Sequence, residues 1–174
     1  MTTGLLLLGG TGRRFGGPKA LAAFRGETLA ERAWRLLGDA CDERIAVGKI
    51  ADGLPLPFPL LDDGTDVRAP IAGLVAGLCA ATHDVSVAIP VDMPLLAADA
   101  LRALGSACRD AAVPQTGPLP GAYRKVALPV LERRLAAGEL ALVDALAELD
   151  AATVEIGRDQ LANVNTRAEL KRLT

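Results

Sequence analysis

Four consecutive leucines, Leu5 to Leu8, run straight into Gly9-Gly10-Thr11-Gly12, and this junction restricts the fold more than any other feature of the chain. An apolar run without polar alternation suits a strand buried on both faces, as in a parallel sheet covered by helices on each side. A first strand is therefore predicted over Gly4 to Leu8, with the glycines forming a loop at its carboxyl end. The run is too short for a membrane helix, and no basic segment precedes it as in a signal peptide. A cytoplasmic protein is expected.

Downstream, short apolar runs alternate with helical patterns, the arrangement of α/β proteins. Thr28-Leu29-Ala30-Glu31 reads as a capping box opening a helix. Leu29, Ala33, Leu36 and Leu37 would form its buried face, and Gly38 would end it. Arg44 to Val47 predicts a second strand. Pro55, Pro57 and Pro59 exclude a central strand there and predict an extended connection into a short strand near Leu60-Leu61. Pro70 suits the first turn of a helix whose apolar face is Ile71, Leu74, Val75 and Leu78. A strand at Val85 to Ile89, a helix from Ala98 to Arg109 and a short strand at Ala111-Val113 come next. Beyond the Gly/Pro-rich segment Gly117 to Gly121 lie helices near Val126 to Ala137 and Ala141 to Leu149, a strand at Thr153-Ile156 and a last helix from Arg167. No repeat or linker divides the 174 residues, so residues 1–174 are expected to form a single domain.

The loop after the first strand, Gly9 to Lys19, leaves the end of the sheet where α/β proteins bind ligands. Glycines allow backbone N–H groups to approach phosphate oxygens closely, and Arg14 and Lys19 add cationic donors. A Walker A loop does not fit, because Pro18 separates Gly17 from Lys19 and Ala20 stands where a hydroxyl should bind the metal. A dinucleotide-binding loop would run directly into a helix, whereas Pro18 and the capping box at Thr28 place the helix well downstream. No acidic residue comes after the second strand to hold a ribose, and Tyr123 and Lys125 are too close for a Tyr-x-x-x-Lys pair.

Three further segments carry candidate chemistry. Asp92, between Pro90 and Pro94 at a strand end, could bind a hard cation, since Mg²⁺ takes one or two carboxylates with phosphate oxygens; it could equally cap the following helix. Asp62-Asp63-Gly64 reads alone as a solvated turn. Thr166 and Glu169 form a second capping box beside Asn163 and Asn165. Cys41, Cys79 and Cys108 show no disulfide or zinc spacing, and Cys79 and Cys108 are expected in the core. His83, the sole histidine, is expected in a loop. A net charge of -2 without a basic block argues against nucleic acid and membrane as partners.

Taken together, these segments resemble the molybdenum cofactor guanylyltransferase family and its nucleotidyltransferase relatives. Leu8, Gly9, Gly10, Arg14, Gly16 and Lys19 fall on the family's opening glycine-rich pattern. Pro90-Val91-Asp92-Met93-Pro94 looks like its metal-binding P-x-D-x-P element. Asp62-Asp63 with Ala69-Pro70-Ile71-Ala72-Gly73-Leu74 resembles its D-x(n)-G-P-L-A-G element, with Ala69 in place of Gly and Ile71 in place of Leu. Asn163-Val164-Asn165-Thr166 is similar to its near-terminal N-x-N-T-P, with Arg167 replacing Pro. Leu119 to Arg124 and Ala136 to Glu139 extend the likeness through the later half of the chain.

The resemblance implies a three-layer, Rossmann-like α/β nucleotidyltransferase fold with a mostly parallel central sheet. It implies Mg²⁺-dependent transfer of GMP from GTP to the terminal phosphate of molybdopterin or molybdenum cofactor, with release of pyrophosphate, by a monomer or weak homo-oligomer. Lys19, Arg14 and Asp92 would be catalytic, with Asp92 holding the metal. Leu7, Leu8, Gly9, Gly10, Lys19, Gly48, Asp63 and Asp92 would bind the nucleotide, Asp62 remaining an alternative to Asp63. Asn163 and Asn165 would bind the acceptor. Gly9-Gly10 resembles the guanylyl branch, since cytidylyl relatives typically read L-A-A-G there. Leu8 makes the loop entry bulkier than in many relatives, and Gly48 replaces an Asn that contacts the base. A cytidylyl- or sugar-phosphate nucleotidyltransferase, or a nucleotide-binding relative without activity, are the alternatives.

Overall fold

The structure, a computed structural model, describes residues 1–9 and 15–173. In chain order its elements are β1 (Thr2–Leu8), a hairpin of β2 (Ala23–Phe24) and β3 (Glu27–Thr28), α1 (Leu29–Ala40), β4 (Glu43–Gly48), β5 (Leu60–Asp62), α2 (Pro70–Ala80), β6 (Val85–Pro90), α3 (Ala98–Ala107), β7 (Ala111–Pro114), β8 (Gly121–Arg124), α4 (Leu128–Ala136), α5 (Leu142–Leu146), β9 (Ala151–Val154) and α6 (Arg167–Arg172). Seven strands form one sheet in the order β5-β4-β1-β6-β8-β7-β9. β8 runs antiparallel to both its neighbours, and the other pairings are parallel.

The four leucines of β1 explain the layering. Side chains alternate across a strand, so Leu6 and Leu8 enter the core on one face, with Leu29 and Leu37 of α1 and Leu101 and Leu104 of α3. Leu5 and Leu7 enter the other, with Ile71, Leu74 and Leu78 of α2 and Leu131 of α4. Both faces are covered, giving a three-layer α/β sandwich around a mostly parallel sheet. Each leucine fully removed from water contributes about 1.5–3 kcal/mol, so a polar substitution at any of the four would be costly.

The capping box of α1 is formed: Thr28 Oγ1 accepts from Glu31 N at 3.1 Å, and Glu31 Oε2 accepts from Thr28 N at 2.8 Å. Gly38 does not end this helix, which continues to Ala40. A Cβ at Gly38 would lie 2.8 Å from an Arg44 guanidinium nitrogen. That guanidinium stacks 4.5 Å from the Trp34 ring centroid and donates to the Trp34 carbonyl at 3.0 Å. Glycine is there to admit an arginine, not to stop a helix.

Three other expectations need correction. β8 has no counterpart among the elements predicted from sequence, where a Gly/Pro-rich connection leads directly into a helix. β9 occupies Ala151–Val154, two residues earlier than predicted, in register with β7 from Ala111 onward. Cys79 is exposed and Cys108 partly buried rather than in the core. α2 turns Leu74 and Leu78 to the sheet and leaves Cys79 on its outer side, its Sγ 3.8 Å from Glu132, while burial pushes the Cys108 thiol up to about 11. His83 lies in the bend between α2 and β6. Among the described residues no helix is long and apolar enough to cross a membrane.

Candidate nucleotide and phosphate site

The carboxyl ends of the parallel strands β1, β4, β5 and β6 lie side by side, because β4 and β6 flank β1 and β5 flanks β4. The segments leaving these strands are therefore gathered at one edge of the sheet: Gly9 after β1, Lys49 after β4, Asp63 after β5 and Asp92 after β6. This is the edge where open α/β sheets place ligands.

Lys19 opens a short 3₁₀ turn, Lys19–Leu21, preceded by Pro18. Leu21 N donates to the Pro18 carbonyl at 3.1 Å and Ala22 N to the Lys19 carbonyl at 3.0 Å, while Phe15 and Ala20 are buried on either side. The turn is thereby pinned to the core with its lysine directed outward. Lys19 Nζ donates to Asp92 Oδ2 at 3.0 Å and to Asn165 Oδ1 at 3.4 Å. The Lys19 and Asp92 side chains are 19% and 23% exposed, sheltered yet reachable by a ligand.

The segment carrying Asp92 is held by two further contacts. Arg32 Nε of α1 donates to the Pro94 carbonyl at 2.6 Å. Val164 N donates to the Asp92 carbonyl at 2.8 Å, which lays the Asn163–Thr166 segment against the strand end. The next helix, α3, has Ala97 at its N-cap and no side-chain cap, so Asp92 does not serve as its cap. The Thr166–Glu169 capping box is formed, and Glu169 Oε2 accepts from Asn165 N at 2.6 Å as well. Helix cap and site loop thus share one carboxylate. Asn165 reaches Lys19, whereas the Asn163 side chain is exposed and does not join this group. Arg167 Nε donates to the Phe15 carbonyl at 3.1 Å and its guanidinium lies 5.8 Å from the Phe15 ring centroid, tying the same segment to the loop that leads to Lys19. Gly10 and Arg14 lie outside the described residues.

The donor chemistry around Lys19 suits a hard cation. A carboxylate oxygen and an amide oxygen converge on one point, and Mg²⁺ takes oxygen ligands from few protein groups, completing its shell with water and phosphate. Among the described residues no cluster of three or more His, Cys, Asp or Glu side chains is present, so a phosphate-rich ligand would have to supply most of such a shell.

A pocket of about 140 Å³ adjoins this centre. Leu7, Leu8, Gly9, Val47, Gly48, Val67 and Gly73 contribute to its walls, with Lys49 and Asp63 among its polar groups and Pro90, two residues before Asp92, also in its lining. Of the expected nucleotide-binding residues, Leu7, Leu8, Gly9, Gly48 and Asp63 line this pocket, while Lys19 and Asp92 stand beyond Pro90. A Cβ at Gly48 would lie 2.7 Å from the Leu8 carbonyl oxygen, so no side chain fits there.

The two aspartates after β5 have different tasks. Asp62 accepts from the backbone N–H groups of Ile50 and Gly64, each at 2.8 Å, which hold its carboxyl below the ordinary range. Asp63 faces the pocket and pairs with Lys49 at 2.6 Å, the two side chains only 6% and 10% exposed. Sequence pattern assigns Lys49 no role. Its signal is a charge directly after a buried strand end, but its partner lies 14 positions away.

The family model described as MobA-like NTP transferase domain matches residues 4–153. A molybdenum cofactor guanylyltransferase of Pseudomonas syringae is 34% identical, the match covering 93% of this chain and 88% of that one. One from Desulfosudis oleivorans is 28% identical over 98% of this chain and 93% of its own. The crystal structure of molybdopterin-guanine dinucleotide biosynthesis protein A from Archaeoglobus fulgidus superposes with a TM-score of 0.83 at 25% identity, covering 99% and 96% of the two chains.

Proposed function

The chain belongs to the MobA-like NTP transferase family, and on that premise we propose that this nucleotidyltransferase moves GMP from GTP to the terminal phosphate of molybdopterin or molybdenum cofactor, with Mg²⁺ bound and pyrophosphate released. The observation that carries the reading is the adjacency of two unlike regions at one sheet edge. A pocket with apolar walls and polar groups suits a flat base with polar edges. The Lys19–Asp92–Asn165 group beyond Pro90 suits charged oxygens.

In this reading the base enters between Leu7, Leu8, Gly9 and Gly48, with Asp63 among its contacts. The triphosphate extends past Gly9 toward Lys19 and Asp92, Gly10 and Arg14 being assigned to its contacts by the family pattern alone, and the acceptor approaches along Asn163 and Asn165. A phosphate monoester has a second pKa of about 6 and is mostly a dianion at neutral pH. Its oxygen forms a new bond to the α-phosphorus of GTP while the bond to the bridging oxygen of pyrophosphate breaks, and the electron pair leaves with pyrophosphate. No general base is required.

The barrier is the approach of two polyanions, so the protein's work is positioning and charge compensation. Lys19 and Arg14 would donate to the phosphate oxygens, and the glycine backbone would add N–H donors. Mg²⁺, held by Asp92 with Asn165 beside it, would supply further charge neutralisation.

The test is a pyrophosphate-release assay with each of four nucleoside triphosphates, run with molybdopterin or with a sugar phosphate as acceptor. Release confined to GTP with molybdopterin is expected. Release only with CTP, or only with a sugar phosphate, would overturn the assignment of base or acceptor. Tight GTP binding without release in any arm would identify a nucleotide-binding protein without activity.

A further inference from the structure

Lys49 is a buried cation that the proposed chemistry leaves unused. It comes directly after β4, lines the pocket, and is 10% exposed. An ammonium has three N–H donors. One goes to Asp63 Oδ1 at 2.6 Å and another to the Thr65 carbonyl; among the described residues the third has no acceptor. Burying a lysine is costly unless it is paired and hydrogen-bonded, and Asp63 meets the pairing requirement. A structural ion pair alone would account for the pairing. It does not account for Lys49 lining the same pocket as Gly48, the position where any side chain would strike the Leu8 carbonyl.

Gly48 supplies no side-chain donor or acceptor, so polar recognition beside it falls to the next residue. Resting on the reading that the nucleotide is GTP, we infer that Lys49 is a specificity-determining residue that donates to the 6-oxo group of guanine. Guanine places two acceptors, O6 and N7, side by side on one edge, and a lysine or arginine there makes the commonest guanine-specific contact. Adenine carries an amino donor at the same position, which would face the ammonium donor to donor. Pyrimidines have no N7. Asp63 then pairs with Lys49 and aims it, while the apolar walls remain indifferent to which base they hold.

The test uses isothermal titration of the whole protein with GTP and with 2-aminopurine riboside triphosphate, which lacks the 6-oxo group and, with it, the N1 proton; the Lys49 variants then separate the oxo contact from any contact to N1. The wild type should bind GTP on the order of ten- to a hundredfold more tightly than the analogue, in line with loss of one specific base contact. Lys49→Met should lose most of that ratio by weakening GTP alone, and Lys49→Arg should retain it. A purely structural lysine would weaken both ligands together and leave the ratio unchanged, and that outcome overturns the inference. So does a wild-type ratio near one, which needs no variant to fold. Absence of GTP binding altogether, with CTP bound instead, would show up in the same titrations as failure of the guanylyl reading itself.

Discussion

Lys19 and Asp92, 73 positions apart, meet at 3.0 Å between the turn after the glycine loop and the end of β6. Each compensates the other's charge without ligand, and Asn165 adds an amide oxygen to the same ammonium. A bound triphosphate would compete with Asp92 for Lys19, and a cation would compete with Lys19 for Asp92.

Replacing the carboxylate should therefore be more damaging than losing one ion pair. In Asp92→Ala, pyrophosphate release with Mg²⁺ and GTP present is expected to fall below detection, while circular dichroism stays unchanged. The backbone bond from Val164 to the Asp92 carbonyl survives the substitution. Wild-type rates in the variant would remove Asp92 from the mechanism.

Lys19→Ala should lower kcat/KM for GTP by about 2–4 kcal/mol, the range for removal of a donor to developing negative charge. Steady-state kinetics on the nucleotide provide the measurement. A change under about 0.5 kcal/mol would mean that the lysine only braces Asp92.

Gly48→Ala would push a methyl against the Leu8 carbonyl oxygen, 2.7 Å away and part of the backbone. Overpacking of this kind costs about 1–3 kcal/mol, and a domain of this size loses about 2–4 °C of Tm per kcal/mol. Thermal melting should show that loss together with weaker nucleotide binding. A variant with unchanged Tm and affinity would mean that β1 and β4 separate at no cost.

Glu43 should make stability depend on acid pH. Thr3 Oγ1 donates to its carboxylate at 2.5 Å, and the Thr82 N–H and hydroxyl donate at 2.9 Å. These bonds hold the carboxyl below its ordinary value, led by the one from Thr3, despite partial desolvation. The folded-state pKa is thus below the unfolded one, about 4.3. The stabilisation is complete above the unfolded pKa and is lost as pH falls through the folded one. Urea melts from pH 6 down to about pH 3 should steepen less in Glu43→Gln than in wild type, and parallel curves would refute the assignment.

Much of this architecture was legible from side-chain pattern. The unbroken leucines identified a strand covered on both faces, and Thr28 with Glu31 marked the start of α1. Asp92 stood out because two prolines and a strand end isolate it. What escaped was set by tertiary contacts. β8 is four residues, Gly121 to Arg124, held by pairing to β6 and β7, and such a segment carries too little period to announce itself. Gly38 looked like a stop because its reason, the Arg44 guanidinium, comes from the next strand. Lys49 was invisible as a pocket residue because its meaning depends on Asp63, across the β4–β5 pairing.

Asp92, Val164, Asn165 and Lys19 close a ring: carbonyl to N–H, along one peptide, amide to ammonium, ammonium to carboxylate. Its longest link joins positions 146 apart. Contacts of such span carry a larger loop-closure cost than local ones, so the binding centre is expected to mature late during refolding. Stopped-flow refolding should recover far-ultraviolet ellipticity first and affinity for the triphosphate afterward. A partly folded chain would hold its helices and sheet and still be blind to nucleotide.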